Sequence, residues 1–156
     1  MGKTAIYPGF FDPFTNGHLD IVRKASEIFD WVYIVIGINA EKHRSFPADR
    51  IAEAITKTLQ EQKIQNCEVV IWNGLVAEFA RMKNTDYMIR GLRNNMDYNY
   101  EENVASVNKL INPELEYIYF RSNNVAVSST MVKELNSYGK DVSAYVPAAI
   151  LDLLQK

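Results

Sequence analysis

Short apolar segments rich in β-branched and aromatic residues recur along the chain and predict β-strands. In the clearest of them, Val32–Ile38, nearly every residue is apolar, which is typical of a strand buried on both faces of a sheet. The five predicted strands are Thr4–Tyr7, Val32–Ile38, Val69–Trp72, Tyr87–Ile89 and Tyr117–Phe120.

Between these strands, apolar residues recur at the spacing of one face of an α-helix. In the segment Leu19–Phe29, the apolar face consists of Ile21, Val22, Ala25, Ile28 and Phe29. Pro47 opens a second helix, whose apolar face consists of Ile51, Ile55 and Leu59. Further helices are predicted at Val76–Met82, Met96–Ile111, Ser129–Tyr138 and after Pro147, with Asn112-Pro113 and Gly139 as stop signals.

Strict alternation of strands and helices with short connections predicts a parallel sheet that is covered on both faces. We therefore expect a single α/β domain over residues 1–156, with a Rossmann-like, doubly wound, five-stranded parallel sheet and helices on both faces. Ligands of such sheets bind beyond the carboxyl ends of the strands. The loops after the five predicted strands are all polar and hold cations, a histidine and hydroxyl groups. This edge of the sheet therefore predicts a site for a polyanion such as a nucleoside triphosphate.

The composition fits a globular domain and excludes several classes of protein. Apolar residues make up 47% of the 156 residues and the net charge is −2, so nothing electrostatic indicates a nucleic-acid or membrane partner. Cys67 is the single cysteine, which excludes an internal disulfide and a cysteine-based metal cluster. No apolar run approaches the roughly 18 residues of a membrane span, and the chain opens on a strand instead of a signal peptide. We therefore expect a cytoplasmic protein.

The connection from the first strand to the first helix has the features of a phosphate-binding loop. Glycines let backbone N–H groups approach an anion, and the N-terminus of the following helix carries partial positive charge. Thr15-Asn16-Gly17-His18 also matches the (H/T)xGH signature of nucleotidylyltransferases. In the first helical turn, the helix dipole disfavours the charged form of His18 and leaves a hydrogen-bond donor for a phosphate. An isolated histidine there would more commonly cap or pack against the helix, but Gly17 and the loop favour the functional interpretation.

Basic residues follow two other predicted strands. Lys42 comes after the second strand, where a functional role and a solvated surface charge fit the sequence about equally well. Arg90 and Arg93 flank Gly91, and two guanidinium groups so close together suit bidentate contacts with phosphate. Pairing with nearby acidic residues would also explain the two arginines.

The sequence alone leaves the roles of two further groups of residues undecided. Glu101 and Asn108 are seven residues apart and share one helix face, which either lines a site or faces solvent. Ser128, Ser129 and Thr130 form a helix N-cap cluster. A capped helix start is also an anion site, so the structural and the functional interpretations of this cluster hold together.

Taken together, these motifs resemble the bacterial phosphopantetheine adenylyltransferase family over essentially the whole chain. The motifs are Tyr-Pro-Gly-x-Phe-Asp-Pro at 7–13, Thr-Asn-Gly-His-x-Asp at 15–20, Lys42, Ile-Arg-Gly-Leu-Arg at 89–93, Asp-x-x-Tyr-Glu at 97–101, Asn-Pro-Glu-Leu-Glu at 112–116 and Ser-Ser-Thr-x-x-Lys-Glu at 128–134. The first and the fourth are highly specific in combination. The resemblance implies transfer of the AMP moiety of ATP to 4′-phosphopantetheine, which gives dephospho-coenzyme A and pyrophosphate in coenzyme A biosynthesis.

The same resemblance implies roles for individual residues. The ATP side would comprise Gly9, Phe10, Phe11, His18, Arg93, Glu101, Ser128, Ser129 and Thr130, with backbone contacts from the loop. The phosphopantetheine side would comprise Phe10, Lys42, Leu75, Val76, Arg90 and Asn108. The catalytic residues would be His18, Lys42 and Arg93. No side chain is expected to ligate a metal, because Mg²⁺ would be bound mainly through the phosphates of ATP, and the family implies a homohexamer built as a dimer of trimers.

Phe10 departs from the family pattern, which has Ser or Thr there with a hydroxyl on the acceptor phosphate. Three explanations stay open: phosphopantetheine is held by Lys42 and the backbone alone, Phe10 swings aside, or the residue was selected or engineered. On the sequence alone, Phe10→Thr is expected to improve the use of phosphopantetheine and to leave the affinity for ATP nearly unchanged.

The residue types also indicate the mechanism and its alternatives. No nucleophilic side chain with an adjacent base is evident, and none is needed, because the acceptor phosphate is the nucleophile. The site would act by positioning two anions in line and neutralising their charge. One alternative is another nucleotidylyltransferase of the same superfamily with a different acceptor or nucleotide. The other is a non-catalytic nucleotide-binding protein, for which Phe10 is the best argument.

Overall fold

The computed structural model describes residues 2–38, 41–92, 106, 108–123 and 126–155 of the chain. Its elements are, in order, β1 (Thr4–Gly9), α1 (Asn16–Ile28), β2 (Trp31–Gly37), α2 (Ala48–Glu61), β3 (Cys67–Trp72), α3 (Val76–Met82), β4 (Tyr87–Leu92), β5 (Glu116–Arg121), α4 (Ser129–Ser137) and α5 (Ala148–Leu154). All five predicted strands are present, and β2 ends at Gly37, one residue before the predicted end at Ile38. Residues 108–111 are helical, whereas most of the helix predicted at Met96–Ile111 lies outside the described residues.

The five strands form one sheet in the order β3-β2-β1-β4-β5, and every neighbouring pair is parallel. The chain builds outward from β1 through β2 to β3 and then returns to the other side of β1 for β4 and β5. The predicted Rossmann-like fold is thereby confirmed. Because the direction of winding changes between β1 and β4, a crevice is expected at the carboxyl ends of these two strands.

Successive residues of β1 enter different hydrophobic clusters, because side chains alternate between the two faces of a sheet. Ala5 and Tyr7 of β1 join the larger cluster, to which α1, α2, α4 and α5 contribute. Ile6 joins the smaller cluster, together with Ala77 and Phe79 of α3. Packing on both faces explains the continuous apolar character of the second strand. Among the described residues, no helix has the length and apolar character that a membrane span requires.

At the C-terminal ends of two helices, one prediction from the sequence is confirmed and another is wrong. Gly139 follows α4 with a φ of 72°, which confirms it as the residue that ends the helix. Ile28 was expected on the apolar face of α1, but it is 62% exposed. It is the last residue of α1, and the next residue, Phe29, has extended backbone and is buried in the core in its place.

Candidate active site

A pocket of about 340 Å³ opens at the carboxyl ends of β1 and β4, where the winding of the sheet changes direction. Open α/β sheets bind their ligands at this position. The lining comes from β1 and its loop, the first turn of α1, the end of β4, the segment after β5 and the start of α4. The predicted site residues in the lining are Gly9, Phe10, Phe11, His18, Arg90, Ser128, Ser129 and Thr130.

Phe11 turns the loop after β1 back on itself. Its φ is 51°, in the left-handed region that residues other than glycine seldom adopt, and its side chain is buried. The ring lies edge-on to the imidazole of His18, with 4.9 Å between the ring centroids. It also covers Gly9, because a Cβ at that position would lie 2.6 Å from Phe11 Cζ. Gly9 therefore makes room for a neighbouring ring, a requirement that the sequence does not reveal.

His18 is held in one orientation by hydrogen bonds within the first turn of α1. Its partner is the N-cap residue Thr15, whose N–H donates to His18 Nδ1 over 2.9 Å. Because Nδ1 accepts this hydrogen bond, the neutral ring carries its proton on Nε2. The rings of Phe11 and Phe14 pack against the imidazole at centroid distances of 4.9 and 5.5 Å. A donor group of known tautomer is thus fixed in the wall of the pocket.

Arg90 reaches from β4 to the neighbouring strand β1. Its Nη1 donates to the carbonyl oxygen of Pro8 over 2.5 Å, which holds the guanidinium against the end of β1. The next residue, Gly91, allows α1 to pack closely, since a Cβ there would lie 3.3 Å from Ile21 Cγ1. Arg90 and the first turn of α1 therefore line the same pocket. Arg93, the other arginine of the predicted pair, lies outside the described residues.

The start of α4 forms another part of the lining. Ser128 is the N-cap, and its Oγ accepts a hydrogen bond from the Met131 N–H over 3.1 Å, which confirms the predicted cap. Ser129 Oγ donates to the Pro13 carbonyl oxygen over 2.7 Å and connects this helix to the β1–α1 loop. Both serine hydroxyls have partners within the protein. The groups that suit an anion are therefore the N–H groups of Ser129 and Thr130 in the first turn, because the first N–H groups of a helix have no backbone acceptor within it.

A buried carboxylate of the motif at 7–13, whose partners the sequence does not reveal, connects the β1–α1 loop to residues 45 and 46. Asp12 is 1% exposed and accepts hydrogen bonds from the N–H groups of Ser45 and Phe46 over 2.8 and 2.9 Å. Lys133 Nζ of α4 lies 3.4 Å from the same carboxylate. Acidic residues in loops are mostly exposed, so no local signal marks this one as buried. Asp12 thus joins three segments around the pocket.

Arg44 strengthens the same connection. Its guanidinium donates to the carbonyl oxygens of Phe10, Phe11 and Phe46 over 2.6, 3.2 and 3.0 Å. Burial lowers the pKa of Arg44 from its ordinary value, and the nearby Asp12 carboxylate opposes that shift. Three backbone acceptors therefore fix the orientation of this guanidinium. The sequence places Arg44 in a loop beside Lys42 but gives no sign of these contacts.

Lys42 lies beside the pocket, next to Phe10. It is exposed, and its Nζ is 5.5 Å from the centroid of the Phe10 ring, which lines the pocket. Arg44 Cζ lies 4.4 Å from the same centroid. Lys42 itself is not part of the lining, but the aromatic ring that it contacts is.

Asp20 connects α1 to the segment that follows β5. Its Oδ2 accepts hydrogen bonds from the Ser122 hydroxyl over 3.1 Å and from the Asn123 N–H over 2.5 Å. Lys24 Nζ lies 3.9 Å from the same oxygen. Because Ser122 lines the pocket, Asp20 helps to place this part of the wall. The motif at 15–20 includes Asp20, but its partners become visible only in the folded chain.

Besides Lys42, three predicted acceptor-side residues do not line this pocket. Leu75 is 52% exposed and precedes α3, and Val76 packs on the smaller core cluster. Asn108 donates to the hydroxyl of Tyr117 over 2.5 Å. Their contact with a substrate stays a prediction, and Glu101 lies outside the described residues. Within the described part of the chain, no group of three or more His, Cys, Asp or Glu is placed to hold a metal ion.

Comparison with known proteins gives matches over nearly the whole chain. The family model for cytidylyltransferase-like proteins matches residues 6–135. A phosphopantetheine adenylyltransferase from Cytophaga hutchinsonii is 42% identical over 152 residues, which cover 96% of this chain and 100% of that protein. Phosphopantetheine adenylyltransferases from Vesicomyosocius okutanii and Shouchella clausii are 36% and 37% identical; each match covers 99% of this chain and at least 97% of the relative.

The architecture also matches a solved structure from Vibrio parahaemolyticus that is assigned as a nicotinate-nucleotide adenylyltransferase. The TM-score is 0.70 at 16% sequence identity, and the match covers 99% of this chain and 93% of the other. At that identity the likeness shows the fold alone. The sequence matches are closer, and they extend over the full length of the relatives. The chain belongs to the phosphopantetheine adenylyltransferase family, within the cytidylyltransferase-like proteins.

Proposed function

We propose that this protein transfers the adenylyl group of ATP to 4′-phosphopantetheine and produces dephospho-coenzyme A and pyrophosphate for coenzyme A biosynthesis. The relatives that share its full length support this reaction by their names. The structural observation that carries the proposal is His18, whose tautomer is set by Thr15 in the pocket that Arg90 also lines.

In the proposed reaction, a phosphate oxygen of phosphopantetheine attacks the α-phosphorus of ATP. The bond from the α-phosphorus to the oxygen that bridges to the β-phosphorus breaks, and pyrophosphate leaves with that bonding pair. A new phosphoanhydride joins AMP to the acceptor. The acceptor is the nucleophile, so the protein contributes by holding two anions in line and by stabilising the charge that develops between them.

We assign the described residues to these tasks according to their positions. The Nε2–H of His18 would donate to the transferred phosphate, and the first turn of α4 would bind the triphosphate with its N–H groups. Arg90 and Lys42 would neutralise the acceptor phosphate. Two polyanions repel each other strongly at short distance, which explains why cations from separate strand ends meet around one pocket. Arg93 and Glu101 keep the ATP-side roles that their motifs predict.

We also propose that Mg²⁺ reaches the site bound to the phosphates of ATP. The described lining of the pocket supplies the Arg90 guanidinium, hydroxyls and N–H donors and contains no Asp or Glu. Such a lining suits a metal that is carried by the nucleotide better than one that is held by the protein. When bound there, Mg²⁺ would neutralise part of the triphosphate charge.

The function is tested by following pyrophosphate release from the purified protein with ATP, Mg²⁺ and 4′-phosphopantetheine, and by identifying dephospho-coenzyme A by mass. Parallel reactions replace ATP with CTP, or the acceptor with nicotinate mononucleotide. We expect product with ATP and phosphopantetheine. Preference for another pair would favour a different nucleotidylyltransferase, whereas nucleotide binding without any pyrophosphate release would favour a non-catalytic protein.

Self-association into a homohexamer is a further part of the proposal. It is supported by large apolar side chains on the surface, including Leu110 at 84%, Tyr138 at 74% and Met82 at 59% exposure. Sedimentation equilibrium should give six times the chain mass of 17.9 kDa. A monomer alone at micromolar concentration would contradict this assembly. The cytoplasmic location stays a prediction.

A further inference from the structure

We propose that Phe10 is a positioning residue for the acceptor phosphate, because its ring holds the Lys42 ammonium beside the pocket through a cation–π contact. Lys42 is taken as the cation that meets the phosphate of phosphopantetheine, a premise that rests on the proposed function. The Phe10 side chain has no hydrogen-bonding group of its own. It would contribute to the binding of the phosphate by keeping the Lys42 ammonium in position.

The geometry around the Phe10 ring supports this role. The ring is half-buried and lines the pocket, so one part of it is exposed to a ligand while another contacts protein. Lys42 Nζ lies 5.5 Å and Arg44 Cζ 4.4 Å from the ring centroid. Both distances are within the roughly 6 Å at which the negative face of an aromatic ring attracts a cation.

The two cations on this ring differ in what they can do for a ligand. Arg44 is half-buried, and each of its three nitrogens donates to a backbone carbonyl oxygen of the protein. Lys42 is exposed and ends in a compact, strongly hydrated ammonium on a flexible stem. Arg44 therefore belongs to the framework of the loop, whereas Lys42 is the cation that can turn toward a phosphate.

The ring also opposes the repulsion between these cations. Two positive groups near one point repel each other, and a flexible lysine would relieve that repulsion by moving into solvent. The quadrupole of the ring attracts both groups and favours the lysine conformations in which the ammonium stays at the pocket. Phe10→Thr would supply a hydroxyl but remove this attraction. On this proposal Phe10→Thr should not improve the use of phosphopantetheine, which is the opposite of the expectation from the sequence.

A double-mutant cycle between Phe10 and Lys42 tests the proposal. In steady-state kinetics, we expect Phe10→Leu to raise the KM for phosphopantetheine roughly 2- to 5-fold, the size expected of an exposed cation–π contact. The kcat and the dissociation constant of ATP should stay unchanged, and Phe10→Tyr should restore the parent KM. In the Lys42→Ala background, Phe10→Leu should add no further increase, since the ring acts through the lysine.

Fluorinated phenylalanines at position 10 provide a second test that keeps the shape of the ring. One, two or three fluorine atoms weaken the negative face stepwise, so the KM for phosphopantetheine should rise in the same order. Lys83→Ala is the matched control: Lys83 Nζ lies 5.5 Å from the Tyr33 ring centroid, and neither residue lines the pocket. We expect this variant to keep the parent KM.

The outcomes separate this proposal from the proposed function. Additive effects of Phe10→Leu and Lys42→Ala, or a lower KM in Phe10→Thr than in the parent, would overturn the role of Phe10. The same double-mutant cycle can be measured by calorimetry as the affinity for phosphopantetheine. This measurement needs no turnover, so it tests the role of Phe10 even in a protein that is inactive. A parent protein that releases no pyrophosphate would instead contradict the proposed function.

Discussion

The ring of Phe11 occupies the space that a side chain at Gly9 would need, since a Cβ there would come within 2.6 Å of Phe11 Cζ. The same ring lies 4.9 Å from the imidazole of His18, measured between the centroids. A strand residue without a side chain therefore determines where the ring that supports the histidine can lie.

Gly9→Ala should consequently lower activity by displacing Phe11 and, with it, His18. A misplacement of about 1 Å in a catalytic group can cost on the order of 10²-fold, so we expect kcat to fall roughly 10- to 100-fold. Gly37→Ala, at the end of the neighbouring strand, is the control, because its Cβ would meet the Gly9 oxygen at an ordinary 3.9 Å. Equal kcat values in the two variants would contradict the packing role of Gly9.

His18→Ala should reduce turnover much more than the affinity for ATP. A preorganised donor to the charge that develops in a transition state is commonly worth roughly 10²–10³ in kcat. His43→Ala removes the other of the two histidines, which is exposed, and should leave kcat unchanged. Single-turnover rates and ATP titrations of both variants check this prediction. A kcat for His18→Ala within about threefold of the parent would exclude the proposed role.

Asp12→Asn should destabilise the protein and weaken acceptor binding together. The carboxylate accepts two backbone hydrogen bonds and lies beside the Lys133 ammonium, and the amide would lose the charge and one acceptor oxygen. We expect a loss of roughly 1–3 kcal/mol in the free energy of unfolding. The KM for phosphopantetheine should rise because Asp12 anchors the segment after Lys42. Asp152→Asn, on the exposed side of α5, should change neither quantity in urea unfolding and kinetics.

Cys67 should behave as a structural residue with a protected thiol. Burial raises its pKa to about 12, so the native protein at pH 8 should not react with a disulfide reagent, whereas the protein in urea should react fully. An unfolded thiol titrates near pH 8.5. Between that pH and about 12, the native state holds more protons than the unfolded state, so the free energy of unfolding falls as pH rises.

Comparison with Cys67→Ala isolates this contribution from those of the other groups that titrate at high pH. The variant should lack the part of the alkaline decrease in stability that the thiol causes. Rapid labelling of the native parent protein at pH 8 would show that the thiol is accessible.

The sequence predicted the fold well because its signals are local. Every second residue of a strand, and every third or fourth residue of a helix, shows which face is buried, as Ile51, Ile55 and Leu59 do in α2. Ile28 has the right spacing but the wrong environment, because the helix ends there and Phe29 enters the core. The spacing of apolar residues does not show at which residue a helix ends, so it cannot show which of its last residues are buried.

The site was predicted in part, because some of its residues lie in motifs and others act through distant partners. His18 and Arg90 belong to short motifs at strand ends, and both line the pocket. The partner of Asp12, Lys133, lies 121 residues further along the chain. The partner of Asp20, Ser122, lies 102 residues further. Contacts at such separations leave no trace in local spacing.

The anchoring of the segment between β5 and α4 has a consequence for how the pocket tolerates substitutions. Asp20 holds its beginning at Ser122, and the hydrogen bond from Ser129 to Pro13 holds its end. Substitutions between these two anchors should therefore leave both ends of the segment in place. A change at Val127 would alter the lining of the pocket without displacing the hydrogen bonds of Asp20 and Pro13.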